Sequence, residues 1–514
     1  MSGAAARRAP AREALLGAYR AERRKLLAQV STRVLALICG LGPLAFAAVL
    51  SGQSGVPGDT LLGASVHSSG YAFSLIVLGF AGYLGFPVLA GALAGDIFSA
   101  EDRYGTWKTI LTRSRTRWNV FAGKLLAATA LALGLLAVAA VSSLLGGFLF
   151  IGDQSLVGLG GNVIGPGEAL WLVLAAWLVS APALLGFTSL AVLFSLASRN
   201  GIVGVLGPVL AGLVMQLLTL LGTGAWMHTA LLAGAFDDWH GLLGAPPFYL
   251  PLVIGSCVAA LWVAACLGAS WWILRRRDFA GPAVPSRPGW APAARIVLGA
   301  AAVTVLLGLC SSVGPTAITA ARLEASVQPV FGRLLVLQQR ELGRPVPAGA
   351  QPNLRTSCRR HSGQSSGPGD DWTCTLTIVS PRPGAEPFLL TTVIYDLSVK
   401  ANGCYRAEAP PTFVGQQMMS DAAGHSVLNP LFIFYGCFDT TASPPRHSTA
   451  SPAGKGSSRR GSKLTGAEGR ALREAERTAG PGVLRESEES EKAIERQAEG
   501  KHQVEESSQL GLGG

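Results

Sequence analysis

Long apolar stretches alternate with short polar segments through the first part of the chain, and a polar region follows them. A helix that crosses the hydrocarbon core of a membrane needs about 20 mostly apolar residues. Seven stretches meet this requirement, at residues 34–50, 71–94, 125–151, 169–197, 202–221, 250–274 and 296–314. The pattern predicts an all-α polytopic membrane protein, with a six-span bundle at 34–277 and a seventh span at 296–314.

The distribution of Lys and Arg predicts how these spans are oriented. Basic residues are concentrated before the first span, between the second and third, and after the fourth and sixth, but the loops at 51–70, 152–168 and 222–249 contain none. Cytoplasmic loops carry an excess of Lys and Arg, so we expect the amino terminus inside and these three loops outside the cell membrane. A cleaved signal peptide at the first span is the alternative, although its basic lead is long for one.

The region after the sixth span predicts a second folded unit. Residues 278–295 are rich in Pro and predict a stiff cytoplasmic linker before the seventh span. That span would carry residues 315–440 outside. Within them, 327–342 has helical periodicity, and strand-like runs flank an Asn402-Gly403 turn. We therefore expect a small extracytoplasmic α+β domain.

Cysteine placement agrees with this topology. Of the eight cysteines, four lie in predicted spans and four in the predicted outer domain, where disulfides persist. The four outer residues are Cys358, Cys374, Cys404 and Cys437. Four cysteines allow three connectivities, of which the local pairing of Cys358 with Cys374 and Cys404 with Cys437 is preferred. A zinc site is the alternative, but neither CxxC spacing nor clustered His accompanies these cysteines.

Composition and charge narrow the class of protein further. The chain is 49% hydrophobic and 14% charged, which excludes a single water-soluble globule. Residues 441–514 are rich in Ser, Pro, Gly, Arg and Glu and predict a disordered tail, with a charged helix at 464–499 as the alternative. The net charge of +11 falls mostly in predicted cytoplasmic loops. It therefore indicates orientation, and nucleic acid is not an expected partner.

Motifs for chemistry are missing from the sequence. A Walker A loop and HExxH are both absent, and so is any Lys or Arg within the spans. The chain is therefore not expected to be an enzyme, to hold a metal or to contain catalytic residues. Ion-coupled carriers usually keep an ionisable residue near the membrane midplane, so a self-energised carrier is disfavoured as well.

The predicted cytoplasmic loop at 96–124 is the most specific segment. Trp107, Leu111, Trp118 and Phe121 recur at helical spacing and predict one helix at the membrane surface. Basic residues lie among them and would meet anionic headgroups or an acidic partner: Arg113, Arg115, Arg117 and Lys124. A surface helix that only obeys the positive-inside rule is the simpler interpretation.

The same loop resembles the ABC-2 type permease family of ATP-binding-cassette transporters. An acidic-to-basic segment, then Gly-Thr, then a basic run ends in Gly-Lys at the next span. The matching positions are Glu101, Arg103, Gly105, Thr106, Arg113, Arg117, Gly123 and Lys124. The amphipathic amino-terminal segment at 1–33 is similar to that family's interfacial helix. Six spans with both ends inside also agree with the family.

The resemblance implies a permease subunit of an ATP-driven exporter. Such a subunit pairs with a second permease half and with a cytoplasmic ABC ATPase that would bind ATP and Mg²⁺; this chain would bind no cofactor. The loop would be a coupling helix that contacts the ATPase through Glu101 and Arg103, with Gly105 and Thr106 starting the helix. Trp107, Leu111, Arg113, Arg117 and Lys124 complete the predicted coupling site.

The seventh span and the cysteine-bearing domain depart from the minimal family, and the role of the domain stays open. The alternative function is a non-transport membrane sensor or envelope-assembly protein that displays a disulfide-bonded outer domain.

Overall fold

The computed structural model describes residues 11–52, 62–63, 66–112, 116–220, 231–277, 318–344, 346, 352–362, 366–378 and 392–440. The predicted linker at 278–295, the seventh span at 296–314 and the tail at 441–514 lie outside the described residues, as do Arg113 and Arg115.

Six apolar segments of the described chain are helical and long enough to cross a membrane, which confirms the first six predicted spans. An amphipathic helix, α1 (Ala11–Ala28), precedes the first span, and two short helices, α5 (Ser99–Arg103) and α6 (Trp107–Thr112), lie between the second and third. The spans are α2 (Val30–Ser51), α3 with α4 (Gly70–Phe80 and Phe86–Ala94, joined by a π-helical turn at Ala81–Gly85), α7 (Arg117–Phe150), α8 with α9 (Pro166–Val179 and Ala181–Ser198), α10 (Gly201–Leu220) and α11 (Leu250–Arg276). The chain is therefore a multi-pass membrane protein.

Small residues allow two of these helices to cross closely. Gly91 on α4 and Gly95 directly after it face the backbone of Gly204 and Val205 on α10, and a Cβ on either glycine would overlap that backbone. Small residues at such crossings are characteristic of helix packing in membranes. The GxxxG spacing of Gly91 and Gly95 thus marks the crossing of the second and fifth spans.

Buried polar side chains join the second, third and fourth spans. Ser74 and Ser143 share a hydrogen bond of 2.7 Å, and the indole nitrogen of Trp177 donates to the Ser74 hydroxyl at 3.1 Å. Each of these groups would be costly to bury without a partner. The contacts therefore help to fix the register of the three spans.

The C-terminal domain (residues 318–440) is a helix on an antiparallel sheet, as predicted. Helix α12 (Ala320–Glu341) packs on five strands in the order β3-β4-β5-β6-β9. These are β3 (Leu354–Arg360), β4 (Gly369–Ile378), β5 (Thr392–Val399), β6 (Cys404–Glu408) and β9 (Ile433–Cys437). A short helix, α13 (Pro411–Val414), and the hairpin β7–β8 (Met418–Ser420 and Ser426–Leu428) lie between β6 and β9. The Asn402-Gly403 turn joins β5 to β6, and Gly403 has the positive φ of +80° that the turn requires.

Both predicted disulfides are present in this domain. Cys358 is bonded to Cys374 and Cys404 to Cys437, with S–S distances of 1.97 and 2.07 Å. Each bond joins directly opposed residues on neighbouring strands, β3 with β4 and β6 with β9. The local pairing is therefore confirmed, and zinc ligation by these four sulfurs is excluded.

The C-terminal domain rests on two loops of the membrane region. Arg333 of α12 donates to the carbonyl oxygens of Gly160 at 2.6 Å and Ala245 at 3.3 Å. Gly161, between the short strands β1 (Leu156–Val157) and β2 (Val163–Ile164), lies so close to α12 that a Cβ would be 2.8 Å from the Val330 oxygen. These are the loops that lack basic residues, so the domain and the basic loops lie at opposite ends of the spans.

Candidate coupling site

The loop between the second and third spans is not the single surface helix that the spacing of Trp107, Leu111, Trp118 and Phe121 predicts. A turn at Gly105, whose φ is +64°, separates α5 from α6, and the extended backbone of Thr116 (φ −68°, ψ 150°) separates α6 from α7. Thr106 follows the turn directly before α6, as the resemblance implies. A new helix then starts at Arg117, where the Thr116 hydroxyl accepts from the backbone N–H of Asn119 at 3.2 Å.

The aromatic residues of the two helical segments nevertheless lie together. Trp107 stacks on Phe98 with ring centroids 6.3 Å apart, and Phe121 lies 5.9 Å from the same ring. Trp118 lies beside Trp271 of the sixth span, at 5.1 Å. The regular spacing thus reflects separate helices that pack on one shared apolar cluster.

Glu101 is the centre of a buried ion-pair network beneath this loop. Its side chain is 3% exposed, and one oxygen accepts from Lys25 at 2.5 Å and from Lys124 at 2.8 Å. The other oxygen accepts from the hydroxyl of Thr106. We call Glu22, Lys25, Glu101, Thr106 and Lys124 the buried junction. It joins α1, the loop and α7.

Lys124 is wholly buried, so the prediction that it meets headgroups or an acidic partner at the surface is wrong. Its ammonium is 0% exposed, pairs with Glu22 at 3.0 Å and with Glu101, and donates to the Ile97 carbonyl oxygen at 3.0 Å. The ammonium thus makes two hydrogen bonds, to Ile97 and Glu101, and an ion pair with Glu22. A buried charge is tolerated only when it is paired in this way.

Gly123, the neighbour of Lys124 in the sequence motif, brings α1 close enough to complete the junction. A Cβ at Gly123 would lie 2.6 Å from the Cβ of Ala18. The absence of a side chain therefore lets α1 lie directly on α7. The Gly-Lys pair of the motif supplies both the close contact and the charge that Glu22 meets.

A second ion pair ties the loop to the end of the sixth span. The guanidinium of Arg277 donates to both oxygens of Asp102, and the distance from Nη1 to Oδ2 is 2.9 Å. The indole nitrogen of Trp107 also donates to Asp102, at 3.0 Å. From the start of α7, Arg117 donates to the Arg275 carbonyl oxygen at 2.7 Å. The last turn of α11 is thus held against the loop.

The fourth span joins the loop through hydrogen bonds to the backbone. The Ser195 hydroxyl of α9 accepts from the N–H groups of Phe98 and Ser99, both at 3.1 Å. Asp96 accepts from the Ser99 hydroxyl at 2.7 Å and pairs with Arg103 at 2.5 Å. A displacement of the loop would therefore be felt by α1, α7, α9 and α11 together.

The exposed face of the loop contains Arg103, which belongs to the predicted site, and Tyr104 and Lys108, which do not. Tyr104 is 70% exposed and lies beside the exposed Arg103, whose guanidinium is 5.1 Å from the ring centroid. Lys108 is exposed on α6, whereas Leu111 is half-buried and Trp107 is buried. The degree of exposure separates the residues that a partner could contact from those that pack inside, and a single sequence does not give it.

The comparison with protein families finds a match within the membrane region. Residues 33–206 match the family model described as an ABC-2 family transporter protein. This match confirms the predicted resemblance, and proteins of this family are membrane components of transporters. It covers about a third of the 514 residues. No curated protein matches the chain.

The ABC-2 match contains the loop and part of the buried junction. Glu101, Thr106 and Lys124 lie inside the matched residues, whereas Glu22 and Lys25 precede them. The ion pairs therefore link the ABC-2 segment to an amino-terminal helix beyond it. Spacing could have suggested the pair on α1, because residues three apart share a helix face.

Proposed function

We propose that this chain is the membrane-spanning permease subunit of an ATP-driven ABC exporter in the plasma membrane. The loop at 96–124 would couple it to a separate cytoplasmic ATPase, and a second permease half would complete the translocation path. ATP and Mg²⁺ would bind to the partner ATPase and not to this chain. The observation that carries the proposal is the buried junction around Glu101, which fastens an ABC-2 loop to the spans.

A coupling element must be rigid enough to transmit a displacement from the ATPase to the spans. Bistable, well-packed contacts transmit displacement, whereas a solvated loop absorbs it. Glu101 joins the loop to α1 and α7, and Asp102 joins it to the end of α11. Motion that the ATPase imposes on α5 and α6 would therefore be transmitted to several spans at once.

We assign different tasks to the buried and the exposed residues of the loop. Glu101 and Lys124, which are buried, position the loop. Arg103, Tyr104 and Lys108, which are exposed, would contact the ATPase. Arg113 belongs to the predicted contact set but lies outside the described residues.

The orientation follows from charge. We propose that the end with α1, the loop, Arg199 and Arg275 is cytoplasmic, since basic segments are retained on that side. The C-terminal domain rests on loops at the other end and would be extracytoplasmic, where its disulfides persist.

The test is ATPase stimulation in vesicles that contain this chain and the ATPase that co-purifies with it. We expect the double variant Tyr104→Ala, Lys108→Glu to insert and fold normally but to lose most of the stimulation. Both side chains are exposed, so their loss removes contacts to a partner and leaves the buried junction intact.

A matched control makes the same changes at the other end of the molecule. Tyr249→Ala with Lys400→Glu alters two exposed residues in the same way and should leave stimulation unchanged. Normal stimulation by the loop variant would refute the coupling surface. If no ATPase co-purifies, the sensor or envelope-assembly function replaces transport.

A further inference from the structure

A cavity of about 640 Å³ lies where the C-terminal domain meets the loops of the membrane region. Leu334 and Leu337 of α12 form one wall, and Val157 and Val163 of the β1–β2 hairpin form another. Ile433 begins the strand that closes it. Its size and mostly apolar lining are typical of a site for a small organic ligand.

The charged groups of this cavity are all acidic. Asp153 and Glu341 line it, and no Lys, Arg or His is among the described residues that do so. Oxygen Oε2 of Glu341 is buried and makes no hydrogen bond within the described part of the chain. Burial and then the nearby Asp421 raise the pKa of Glu341, as expected for a carboxylate without a counter-charge.

We propose that this cavity binds an amphipathic organic cation, with its charged nitrogen at Glu341 and Asp153 and its apolar body along α12. A cation would supply the counter-charge that the described lining of the cavity lacks. The leucine and valine walls would shield the rest of the ligand from water. The inference rests on the proposed function in one respect only: if this chain is a permease, such a cation is the class of its cargo.

A neighbouring groove argues for the sign of the charge. It has a volume of about 720 Å³, lies beside the same face of α12 and shares Val163 and Leu337 with the cavity. Arg333 and Arg340 line it, and Arg333 already donates to two backbone carbonyl oxygens. The basic residues thus line the groove and the acidic residues line the cavity. An anion would therefore be repelled from the cavity.

The experiment uses the full-length chain in nanodiscs of zwitterionic phosphatidylcholine, without an ATPase. Rhodamine 6G is the cationic probe and fluorescein the anionic probe of similar aromatic size, and fluorescence anisotropy over empty nanodiscs gives binding. We expect saturable binding of rhodamine 6G and none of fluorescein. Glu341→Gln should weaken the binding about tenfold, because a charge-assisted contact contributes on that order.

Glu408→Gln is the matched control, because it removes the same charge from the same domain outside the cavity. It should bind rhodamine 6G like the unmodified chain. Val427→Trp, which places a bulky ring in the cavity lining, should abolish binding. Thermal unfolding of each variant shows that it is folded.

Equal binding by Glu341→Gln and Glu408→Gln would overturn the proposal, and so would saturable binding of fluorescein. Because the assay contains no ATPase, its outcome is independent of coupling. If the unmodified chain binds no rhodamine 6G but still stimulates the ATPase, this site is refuted and the permease function is not. Intact dye binding without any stimulation would refute the permease function and leave the site.

Discussion

Lys25 and Lys124 contact the same oxygen of Glu101, yet they lie in different environments. The Lys25 side chain is 43% exposed, whereas that of Lys124 is fully buried. Removing one partner of a buried pair leaves an uncompensated charge, whereas an exposed pair contributes little. Burial, and not distance, should therefore decide how much each lysine stabilises the fold.

We predict that Lys124→Met lowers the free energy of unfolding by about 3 kcal/mol, because Glu22 and Glu101 then lose a buried counter-charge. Lys25→Met removes the same kind of side chain and should cost about 1 kcal/mol or less. Thermal unfolding of the two purified variants in one detergent measures the difference. Equal decreases in Tm for Lys124→Met and Lys25→Met would contradict the prediction, because they would mean that water reaches both lysines of the buried junction.

The sequence identified Lys124 but could not give its environment. A lysine at the end of an apolar stretch satisfies the positive-inside rule whether it faces headgroups or a carboxylate. The distinction depends on Glu101 in the loop and on Glu22, which is far from Lys124 in sequence and reaches it because Gly123 admits α1. The disulfides are the opposite case, since cysteines on neighbouring strands pair locally.

At the scale of elements, apolar runs predicted the six spans well because length and hydropathy alone define them. The prediction of a single loop helix was wrong because the aromatic period continues across the extended Thr116, which separates α6 from α7. Both segments pack on Phe98 and its neighbours, so hydrophobic spacing reports the shared cluster and not backbone continuity. The GxxxG spacing of Gly91 and Gly95 is likewise visible in the sequence, but it does not name α10 as the partner helix.

We predict that Gly204→Ala destabilises the crossing of α4 and α10 by about 1–3 kcal/mol. The new Cβ would overlap the backbone of Gly95, which cannot move without displacing the whole helix. Gly134→Ala on α7 is the control, because a Cβ there meets nothing within 4 Å, and it should be neutral or slightly stabilising. The comparison is again made by thermal unfolding.

An equal effect of the two alanines would mean that the spans separate readily at this crossing. In that case the small residues would serve helix movement and not static packing.

At the scale of the whole molecule, two kinds of surface lie at opposite ends of the same bundle. One end gathers α1, the loop and the last turn of α11 around charged pairs. The other end supports a disulfide-bonded domain through Arg333 and apolar contacts. The distribution of basic residues could predict that the two ends of the bundle differ in charge. The position of the C-terminal domain, however, depends on the close contact of Gly161 with α12, which no local sequence pattern encodes.

This polarity leads to a prediction about topology. A cysteine introduced at Lys108, on the exposed face of α6, should react with a membrane-impermeant maleimide only after cells are permeabilised. One introduced at Ala423, in the exposed turn between β7 and β8, should react on intact cells. The unmodified chain is the control, because its outer cysteines are paired and Cys39, Cys257 and Cys266 lie in spans.

The reverse labelling pattern would mean that the protein has the opposite orientation in the membrane, with its disulfides in the reducing compartment. Labelling of both positions on intact cells would mean that the loop reaches the outside, where an ATPase could not contact it. Only the expected pattern leaves the buried junction beneath a cytoplasmic surface, and the cavity at Glu341 open to the opposite side.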